Sequence, residues 1–335
     1  MTTDSHRMQT ALPVSLTLQA PAKLNLSLAI LGRRDDGYHE IESLMVAVSL
    51  FDTLTVRSVE TPGTRLRVHE HRHGGGSTGE VPADDRNLAI RGLQALAAAA
   101  GVEPALEIDL VKRIPAGAGL GGGSSDAAAA IRAAARLWGL AWPIERLAEV
   151  GATVGSDVPW FLPGRPAVAS GRGEHVERVA GFPQLAAVVV WPGVTLSTAA
   201  VYRAWGASVP HDRPGTGDAH RLAAALAAGR WQDVWPLVRN DLEAPARHVC
   251  PEVDTVLAAL ARAGARCPRL TGSGSACFAL TRTFQEARTI AARLAAQRTA
   301  DGGTRWPAVH AVHLLGEGLV GEGLLDDELL GDSGE

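Results

Sequence analysis

Apolar residues recur at alternate positions over the first part of the chain, which is the pattern of half-buried β-strands. Between Val14 and Ile30 this alternation includes Leu24 and Leu26. Residues 33–37 then predict a turn, and residues 41–56 return to a strand pattern. We therefore expect the chain to open with a β-hairpin.

The period changes after this hairpin. Residues 69–79 are rich in glycine and histidine and predict an exposed loop, and residues 87–100 have the spacing of a helix. Residues 106–110 alternate apolar with acidic side chains and predict a strand. A glycine cluster over 117–123 then leads into an alanine-rich helix over 124–137.

The pattern changes again beyond Pro183. Residues 186–191 form a continuous apolar run, which predicts a central strand buried on both faces. Helical patterns over 197–205 and 221–228 follow, and residues 276–280 predict a further short strand. This change indicates a domain boundary near residue 180.

The length of the chain supports a division into domains. A chain of 335 residues is long for a single hydrophobic core. We assign residues 12–180 to an N-terminal domain and residues 181–316 to a C-terminal domain. Residues 317–335 are acidic and rich in glycine, and we expect them to form a flexible tail.

Composition and charge exclude several classes of partner. The formal net charge is −4, so no overall attraction to nucleic acid or to an anionic membrane is expected. No apolar run approaches the roughly 20 residues that a membrane-spanning helix needs. Three cysteines without a CxxC motif are typical of a reducing compartment. We predict a soluble, cytoplasmic protein, a monomer or a homodimer, that does not bind nucleic acid or a membrane.

The glycine cluster is the strongest indication of a ligand. Glycines let the backbone turn tightly, and the free N–H groups at a helix start favour a phosphate. The segment lies between a predicted strand and a predicted helix, and two serines at the helix start add hydroxyl groups that suit phosphates and magnesium. The candidate nucleotide-binding residues are Pro115, Ala116, Gly117, Ala118, Gly119, Leu120, Gly121, Gly122, Gly123, Ser124 and Ser125.

Three interpretations of this segment compete. It is a plain glycine-rich connection with a serine N-cap, a dinucleotide site, or a loop that binds a nucleoside triphosphate. Gly117, Gly119 and Gly122 match G-x-G-x-x-G, but an acidic residue should end the next strand about 20 residues later, and residues 143–145 fall in a helical pattern. The chain contains no G-x-x-x-x-G-K-[ST] motif. We favour a triphosphate loop of another type.

Charged residues near apolar segments supply candidate chemistry. Lys23 lies in the first predicted strand and shares a face with Asn25, which is either a solvated face or part of a site. Asp157 precedes Val158 and Pro159, and because Pro159 disfavours a helical Val158 we expect Asp157 between a helix end and an extended segment. Such an aspartate is either a structural cap or a working group with a tuned pKa.

Several motifs together resemble those of the GHMP small-molecule kinases, over roughly residues 20–280. Residues 21–26 read Pro-Ala-Lys-Leu-Asn-Leu and residues 36–39 read Asp-Gly-Tyr-His. Residues 155–159 read Gly-Ser-Asp-Val-Pro. The glycine loop over 115–125, and the later motifs at 240–243 and 270–275, fit as well.

The resemblance implies a fold and an activity. The implied fold is α+β, with a ribosomal protein S5 domain 2-like N-terminal domain and a ferredoxin-like C-terminal domain. The implied activity is ATP-dependent phosphorylation of a hydroxyl group, with Mg²⁺, on a small molecule that carries a cytidine diphosphate head. In such kinases Asp157 would accept the hydroxyl proton and Lys23 would stabilise the developing charge.

The resemblance also assigns binding roles. Lys112, at the end of the strand before the loop, would lie near the nucleotide, unless it is a solvated strand end. Asp126 either complements the helix dipole or helps to hold magnesium, so the metal ligands stay open. Tyr38 would stack on the cytosine and His39 would hydrogen-bond its edge. The proposed substrate-binding residues are Asn25, Tyr38, His39, Thr198 and Tyr202.

Three rival hypotheses remain at this stage. Another GHMP kinase would act on homoserine, mevalonate or a sugar, a nicotinamide-dependent oxidoreductase would use the glycines for NAD, and a binding protein with this fold would not catalyse a reaction. Asn240 and Glu243 are first expected to form a capping box, with a structural role. A metal site at His69, His71 and His73 is disfavoured, because the stretch predicts an exposed loop.

Overall fold

The computed structural model describes four ranges of the chain, residues 14–35, 37–70, 81–206 and 217–316. The predicted tail over 317–335 and most of the predicted glycine- and histidine-rich loop lie outside these ranges. No helix within the described ranges is long and apolar enough to cross a membrane.

The described residues form ten strands and ten helices. The strands are β1 (Ser15–Arg33), β2 (His39–Ser58), β3 (Gly63–Glu70), β4 (Ala105–Lys112), β5 (Ala167–Gly171), β6 (His175–Arg178), β7 (Ala186–Trp191), β8 (Arg269–Leu270), β9 (Cys277–Thr281) and β10 (Ala308–Leu315). The helices are α1 (Leu88–Ala100), α2 (Gly122–Leu137), α3 (Ile144–Ala152), α4 (Val158–Phe161), α5 (Thr198–Gly206), α6 (Asp218–Ala227), α7 (Trp231–Leu237), α8 (Glu243–Val249), α9 (Glu252–Arg262) and α10 (Phe284–Ala295).

The predicted opening hairpin is confirmed. Strands β1 and β2 pair antiparallel from Ser15 opposite Arg57 to Arg33 opposite His39. The register shifts between Asn25 and Ser27, so the strand is irregular beside the candidate catalytic lysine. The hairpin therefore carries both the lysine and, at its turn, Tyr38 and His39.

One sheet runs through both halves of the chain. Its strand order is β3-β4-β2-β10-β7-β9-β8, with β1 and β5 also paired to β2 and with β6 paired to β5. The last strand, β10, joins the two halves because Leu314 and Leu315 pair with β2 while the rest of the strand pairs with β7. The boundary predicted near residue 180 falls between β6 and β7, and it stays a prediction.

The middle of β1 is covered on both faces. Leu24 and Leu26 belong to one apolar cluster with Leu222 from the C-terminal half. The alanines of α2 pack in a second cluster with Ala47 of β2. Because both sides of the strand are covered, Lys23 is only 4% exposed, and the solvated-face interpretation is wrong.

Two local predictions need correction. Helix α2 begins at Gly122 after an N-cap at Gly121, so the two serines lie inside its first turn. Val158 is the first residue of helix α4, and Pro159 follows it in the first turn. A proline is tolerated there because the first helical N–H groups have no intrahelical partner.

The predicted loop over 69–79 also starts too early. His69 is part of strand β3, which pairs in parallel with β4. The ring of His69 lies 3.5 Å from a carboxylate oxygen of Asp109, so this histidine takes part in a strand-to-strand contact. His71 and His73 lie outside the described residues.

Candidate active site

The glycine loop comprises residues 115–121, between β4 and α2. Its carbonyl groups accept hydrogen bonds from two other parts of the fold. The backbone N–H of Lys23 donates to the carbonyl of Leu120 at 3.0 Å, and that of Ala276 donates to the carbonyl of Ala118 at 3.0 Å. These bonds tie the loop to β1 and to the C-terminal half at the same time. The loop is therefore part of the rigid scaffold.

The N–H groups of the same segment are available to a ligand. Across the described part of the chain, none of the backbone N–H groups of residues 117–124 is bonded to an acceptor. The positive end of the α2 dipole lies at the same place. A run of free donors at a helix start is an anion-binding arrangement.

A cavity of about 1000 Å³ opens in front of this loop. That volume lies at the upper end of the range for ligand sites and is sufficient for two ligands of moderate size. The predicted site residues that line it are Lys23, Asn25, Tyr38, His39, Asp157, Thr198, Tyr202 and the loop residues 115–119 and 121–124. Three predicted residues do not line it, namely Lys112, Leu120 and Ser125.

A second glycine-containing loop, residues 271–275, packs directly on the first. Gly119 has φ +79°, and a Cβ at this position would lie 2.9 Å from the amide nitrogen of Gly274. A Cβ at Gly272 would in turn lie 2.8 Å from the carbonyl oxygen of Gly119. Both positions need glycine, because the two backbones approach too closely for any side chain.

The close contact between the two loops predicts that a single methyl group added at Gly119 will impair the site. We expect Gly119→Ala to displace the glycine loop and to lower kcat/KM for ATP by about 10²-fold, the loss typical of an ångström-scale misplacement. Steady-state kinetics with varied ATP measure it. Gly123→Ala is the comparison, because its Cβ would meet Leu88 at 3.4 Å, an ordinary contact. Equal losses in the two variants would contradict the proposed role of the loop contact.

Asn240 and Glu243 hold the second loop in place. The Asn240 amide donates to the carbonyl oxygens of Leu270 and Gly272, at 3.0 and 2.8 Å. A carboxylate oxygen of Glu243 accepts the backbone N–H of Leu270 at 2.9 Å. The capping-box expectation is therefore wrong in its partners, since the Glu243 carboxylate bonds to Leu270, next to the loop, and not to the backbone of Asn240.

Lys23 is oriented by a chain of buried polar groups. Its Nζ donates to the side-chain oxygen of Asn25. The amide nitrogen of Asn25 donates to Ser43 Oγ at 2.7 Å, and Ser43 Oγ donates to the carbonyl of Ser27 at 2.6 Å. Both ends of the Asn25 amide are thus engaged within the protein. The substrate contact predicted for Asn25 stays a prediction, and the geometry shows it orienting Lys23.

Asp157 acts on Lys23 across the cavity. Burial lowers the pKa of Lys23, and the negative charge of Asp157 opposes part of that shift. Asp157 is half-buried at the N-cap of the short helix α4, and its side chain makes no capping hydrogen bond there. Of the two interpretations of Asp157, this favours a working group over a structural cap.

Lys112 lies beneath the glycine loop and supports it. It is 2% exposed and its Nζ forms ion pairs with Asp52 and, at 2.7 Å, with Asp126. Asp52 also accepts the backbone N–H groups of Arg113 and Ile114, at 2.5 and 2.9 Å, where the chain enters the loop. This buried triad replaces the nucleotide contact predicted for Lys112, and the solvated strand end is excluded.

Asp126 was expected either to complement the helix dipole or to help hold magnesium, and its environment matches neither role. Burial raises the pKa of Asp126 to about 7, although the charge of Lys112 pulls it down. The two carboxylates raise the pKa of Lys112 above its usual value, against the effect of burial. Asp126 therefore pairs with a buried lysine under the loop, and its side chain is turned away from the cavity.

The far end of the cavity is aromatic. The His39 ring lies 4.8 Å from the ring of Tyr202 and 5.3 Å from that of Trp205, between centroids. Thr198 and Tyr202 both line the cavity from α5, as their four-residue spacing predicted. Tyr38 is 54% exposed, so its ring is accessible to a planar ligand.

Three arginines that the sequence did not single out also line the cavity. Arg33 ends β1, Arg172 lies in the turn between β5 and β6, and Arg203 follows Tyr202 in α5. All three are exposed. Arginine is common on protein surfaces, and these residues have no shared spacing, so only the fold brings them together.

Two family profiles match the chain and define its class. The GHMP kinases N terminal domain matches residues 87–165, and the GHMP kinases C terminal domain matches residues 220–299. Solved structures agree at the level of the fold, among them a homoserine kinase from Cytophaga hutchinsonii with a TM-score of 0.65 at 21% identity, over 85% of this chain and 90% of that one. The α+β fold and the glycine loop are those of a GHMP kinase.

Relatives with higher sequence identity to this chain identify one family within the GHMP kinases. A 4-diphosphocytidyl-2-C-methyl-D-erythritol kinase of Paramagnetospirillum magneticum is 41% identical over 85% of this chain and 96% of its own length. One from Pelotomaculum thermopropionicum is 40% identical over 83% and 93%. A crystal structure of 4-(cytidine 5'-diphospho)-2C-methyl-D-erythritol kinase superposes with a TM-score of 0.70 at 36% identity, covering 90% of this chain and 100% of that one. The chain belongs to the 4-diphosphocytidyl-2-C-methyl-D-erythritol kinase family.

Proposed function

We propose that this chain transfers the γ-phosphoryl group of ATP to the 2-hydroxyl of 4-diphosphocytidyl-2-C-methyl-D-erythritol, giving the 2-phosphate and ADP. The reaction belongs to the methylerythritol phosphate route to isoprenoid precursors. The observation that supports it most is the run of N–H groups over 117–124 that have no acceptor among the described residues and that face a cavity also lined by Lys23 and Asp157. A phosphate-binding segment and a base beside a cation are what phosphoryl transfer requires.

Each of the two charged residues has a separate task. The oxygen of the substrate hydroxyl attacks the γ-phosphorus of ATP, and the Asp157 carboxylate accepts the proton of that hydroxyl. The bond between the γ-phosphorus and the oxygen that bridges it to the β-phosphorus breaks, and ADP leaves. The Lys23 ammonium, held by Asn25, stabilises the negative charge on the transferred group. Because the site is largely closed to water around Lys23, these interactions are stronger than they would be at the surface.

Magnesium, when bound with ATP, would neutralise part of the phosphate charge. Among the residues of the cavity wall, Ser124 offers a hydroxyl beside the loop and fits an oxygen-coordinated cation. Ser125 Oγ and Asp126 Oδ1 have no hydrogen-bond partner among the described residues, but neither residue lines the cavity. We therefore assign magnesium binding to Ser124 and to the phosphate oxygens.

The aromatic end of the cavity is proposed to bind the cytosine. Tyr38 stacks on the base, and His39, packed against Tyr202 and Trp205, hydrogen-bonds its edge. The acceptor then extends from this end towards Asp157, where its hydroxyl meets the γ-phosphoryl group. Two ligands meeting end to end account for the size of the cavity.

The stacking role predicts a loss of substrate affinity. We expect Tyr38→Ala to raise KM for the cytidyl substrate by about 5- to 150-fold, because base stacking contributes about 1–3 kcal/mol. The value of kcat should change little, since Tyr38 is at the opposite end from the reacting atoms. Tyr38→Phe retains the ring and should behave like the unchanged protein. If Tyr38→Ala left KM unaltered, the base would not stack there.

Two rival hypotheses can be separated from this proposal. The dinucleotide interpretation is excluded by the fold, because helix α3 follows α2 where a Rossmann unit has its next parallel strand. Homoserine and mevalonate kinases share this fold at low identity, so the choice of acceptor needs an assay.

The assay measures ADP release from ATP and Mg²⁺ with each of three acceptors, the cytidyl substrate, homoserine and mevalonate. We expect transfer to the cytidyl substrate alone. Preferential transfer to either of the other two acceptors would make the chain a GHMP kinase of different specificity. Absence of transfer to all three would support a binding protein. We place the reaction in the cytoplasm, in keeping with three unpaired cysteines.

A further inference from the structure

The cavity has a strong excess of positive charge. The charged residues in its described lining are four cations, Lys23, Arg33, Arg172 and Arg203, and one carboxylate, Asp157. The whole chain has a formal net charge of −4, so this concentration of cations is local. A cleft lined by one sign of charge focuses its field on ligands of the opposite sign. Lys23 has a role in the reaction, whereas the arginines have none so far.

Arg172 is placed between the two ends of the acceptor site. It lies in the tight turn between β5 and β6, beside Gly173, whose φ is +115°. A Cβ at Gly173 would lie 3.9 Å from Oδ1 of Asp157 and 3.8 Å from the carbonyl oxygen of Ser156. The turn that carries Arg172 therefore packs against the candidate base.

The other side of Arg172 faces the aromatic end of the cavity. The guanidinium carbon of Arg172 lies 4.9 Å from the centroid of the Tyr38 ring. Strand pairing fixes this neighbourhood, because Gly171 pairs with Ile41, close to the hairpin turn that holds Tyr38. The turn that carries Arg172 thus lies beside Asp157, and the Arg172 guanidinium itself lies beside Tyr38.

The proposed substrate is a row of covalently linked groups, and their order determines which group lies near Arg172. Its acceptor hydroxyl lies on the sugar alcohol, and a diphosphate links that unit to the ribose and the base. With the hydroxyl at Asp157 and the base at Tyr38, the diphosphate must pass Arg172. Resting on the proposed function, we infer that Arg172 binds the diphosphate of the substrate and so determines specificity for a nucleoside diphosphate ester.

The chemistry of the side chain fits this task. A guanidinium forms two parallel hydrogen bonds to phosphate oxygens and stays charged at all physiological pH values. The Glu174 carboxylate accepts the backbone N–H of Arg172 and lies 3.6 Å from its Nε, which fixes the turn. In the described part of the chain, no acceptor is hydrogen-bonded to the two terminal nitrogens of Arg172. Those nitrogens are available to a phosphate.

A different role for Arg172 makes a different prediction. If the guanidinium served only to hold the Tyr38 ring by a cation–π contact, its loss would weaken every ligand with a cytosine ring equally. If it binds the diphosphate, the loss depends on the number of phosphates. The two roles are therefore separated by ligands that share the base and differ in phosphate content.

The experiment compares cytidine, CMP and CDP as inhibitors competitive with the cytidyl substrate. In Arg172→Gln we expect the inhibition constant of CDP to rise by about 5- to 30-fold, that of CMP to rise less, and that of cytidine to stay unchanged. KM for ATP should not change. Arg146→Gln is the matched control, since Arg146 lies 3.7 Å above the ring of Trp142 outside the cavity and should alter none of these constants.

Two results would overturn the inference. Equal weakening of CDP and cytidine would make Arg172 a residue that positions Tyr38, and unchanged inhibition by CDP would remove it from the site. Failure of the unaltered protein to phosphorylate the cytidyl substrate would instead refute the proposed function. The two failures are thus distinguishable.

Discussion

Replacing Asp157 by asparagine is expected to lower kcat by about 10²–10⁴-fold, the usual contribution of a general base. Asparagine keeps the size of the side chain but cannot accept the hydroxyl proton. The affinity for ATP should be retained, because in the proposed site the triphosphate is bound by backbone N–H groups of the glycine loop and not by Asp157. Single-turnover kinetics and equilibrium ATP binding measure the two quantities separately.

The control for this variant is a carboxylate remote from the cavity. Asp233 forms an exposed pair with Arg230 at 2.9 Å, and Asp233→Asn should leave both kcat and ATP binding unchanged. Near-normal turnover in Asp157→Asn would remove Asp157 from the role of base. A loss of ATP binding in that variant would mean that its effect is structural.

Loss of the buried lysine is expected to have the largest effect on stability. Lys112→Met leaves Asp52 and Asp126 buried without their cation, which should lower the free energy of unfolding by about 3–5 kcal/mol. Urea denaturation at neutral pH measures the change. The variant should also bind ATP more weakly, because Asp52 anchors the backbone where it enters the glycine loop.

A second substitution tests the physical cause of that loss. Adding Asp126→Asn to Lys112→Met removes one of the two uncompensated carboxylates, so part of the lost stability should return. Removal of Asp126 alone should be far less destabilising, since Lys112 keeps its ion pair with Asp52. A Lys112→Met protein as stable as the original would show that the triad does not support the loop.

The parts of this protein that are continuous in sequence could be predicted. Strand β7 has the predicted bounds, Ala186–Trp191, because a strand buried on both faces is a plain apolar run. The glycine loop can be recognised from its composition, since glycines cluster between a strand and a helix where the backbone must turn tightly or approach a ligand closely. Family resemblance then supplied the roles of Lys23 and Asp157, which remain proposals.

The parts that depend on tertiary contacts could not be predicted. Lys112 meets Asp52 from 60 residues earlier, and no local pattern connects them. Arg172 gains its position from a turn that packs on Asp157, so its neighbours in the sequence give no indication of a site. The helix at Val158 was missed because the residue before a proline usually avoids the helical region, a tendency that the first turn can override.

The burial of Lys23 illustrates the same limit. Alternation in β1 correctly grouped Lys23 with Asn25, but the alternation alone favoured a solvated face. The structure covers this face with α2 and the opposite face with the C-terminal half, and the resulting burial lowers the pKa of Lys23, while the charge of Asp157 opposes part of that shift. The catalytic potential of the lysine therefore arises from packing and not from its local sequence.

A crystal structure with a non-hydrolysable ATP analogue and the cytidyl substrate bound together is the most direct test of the account. We expect the triphosphate against the N–H groups of residues 117–124, with the γ-phosphorus in line with the substrate hydroxyl between Asp157 and Lys23. A nucleotide bound elsewhere, or a substrate whose hydroxyl lies out of reach of both side chains, would contradict it.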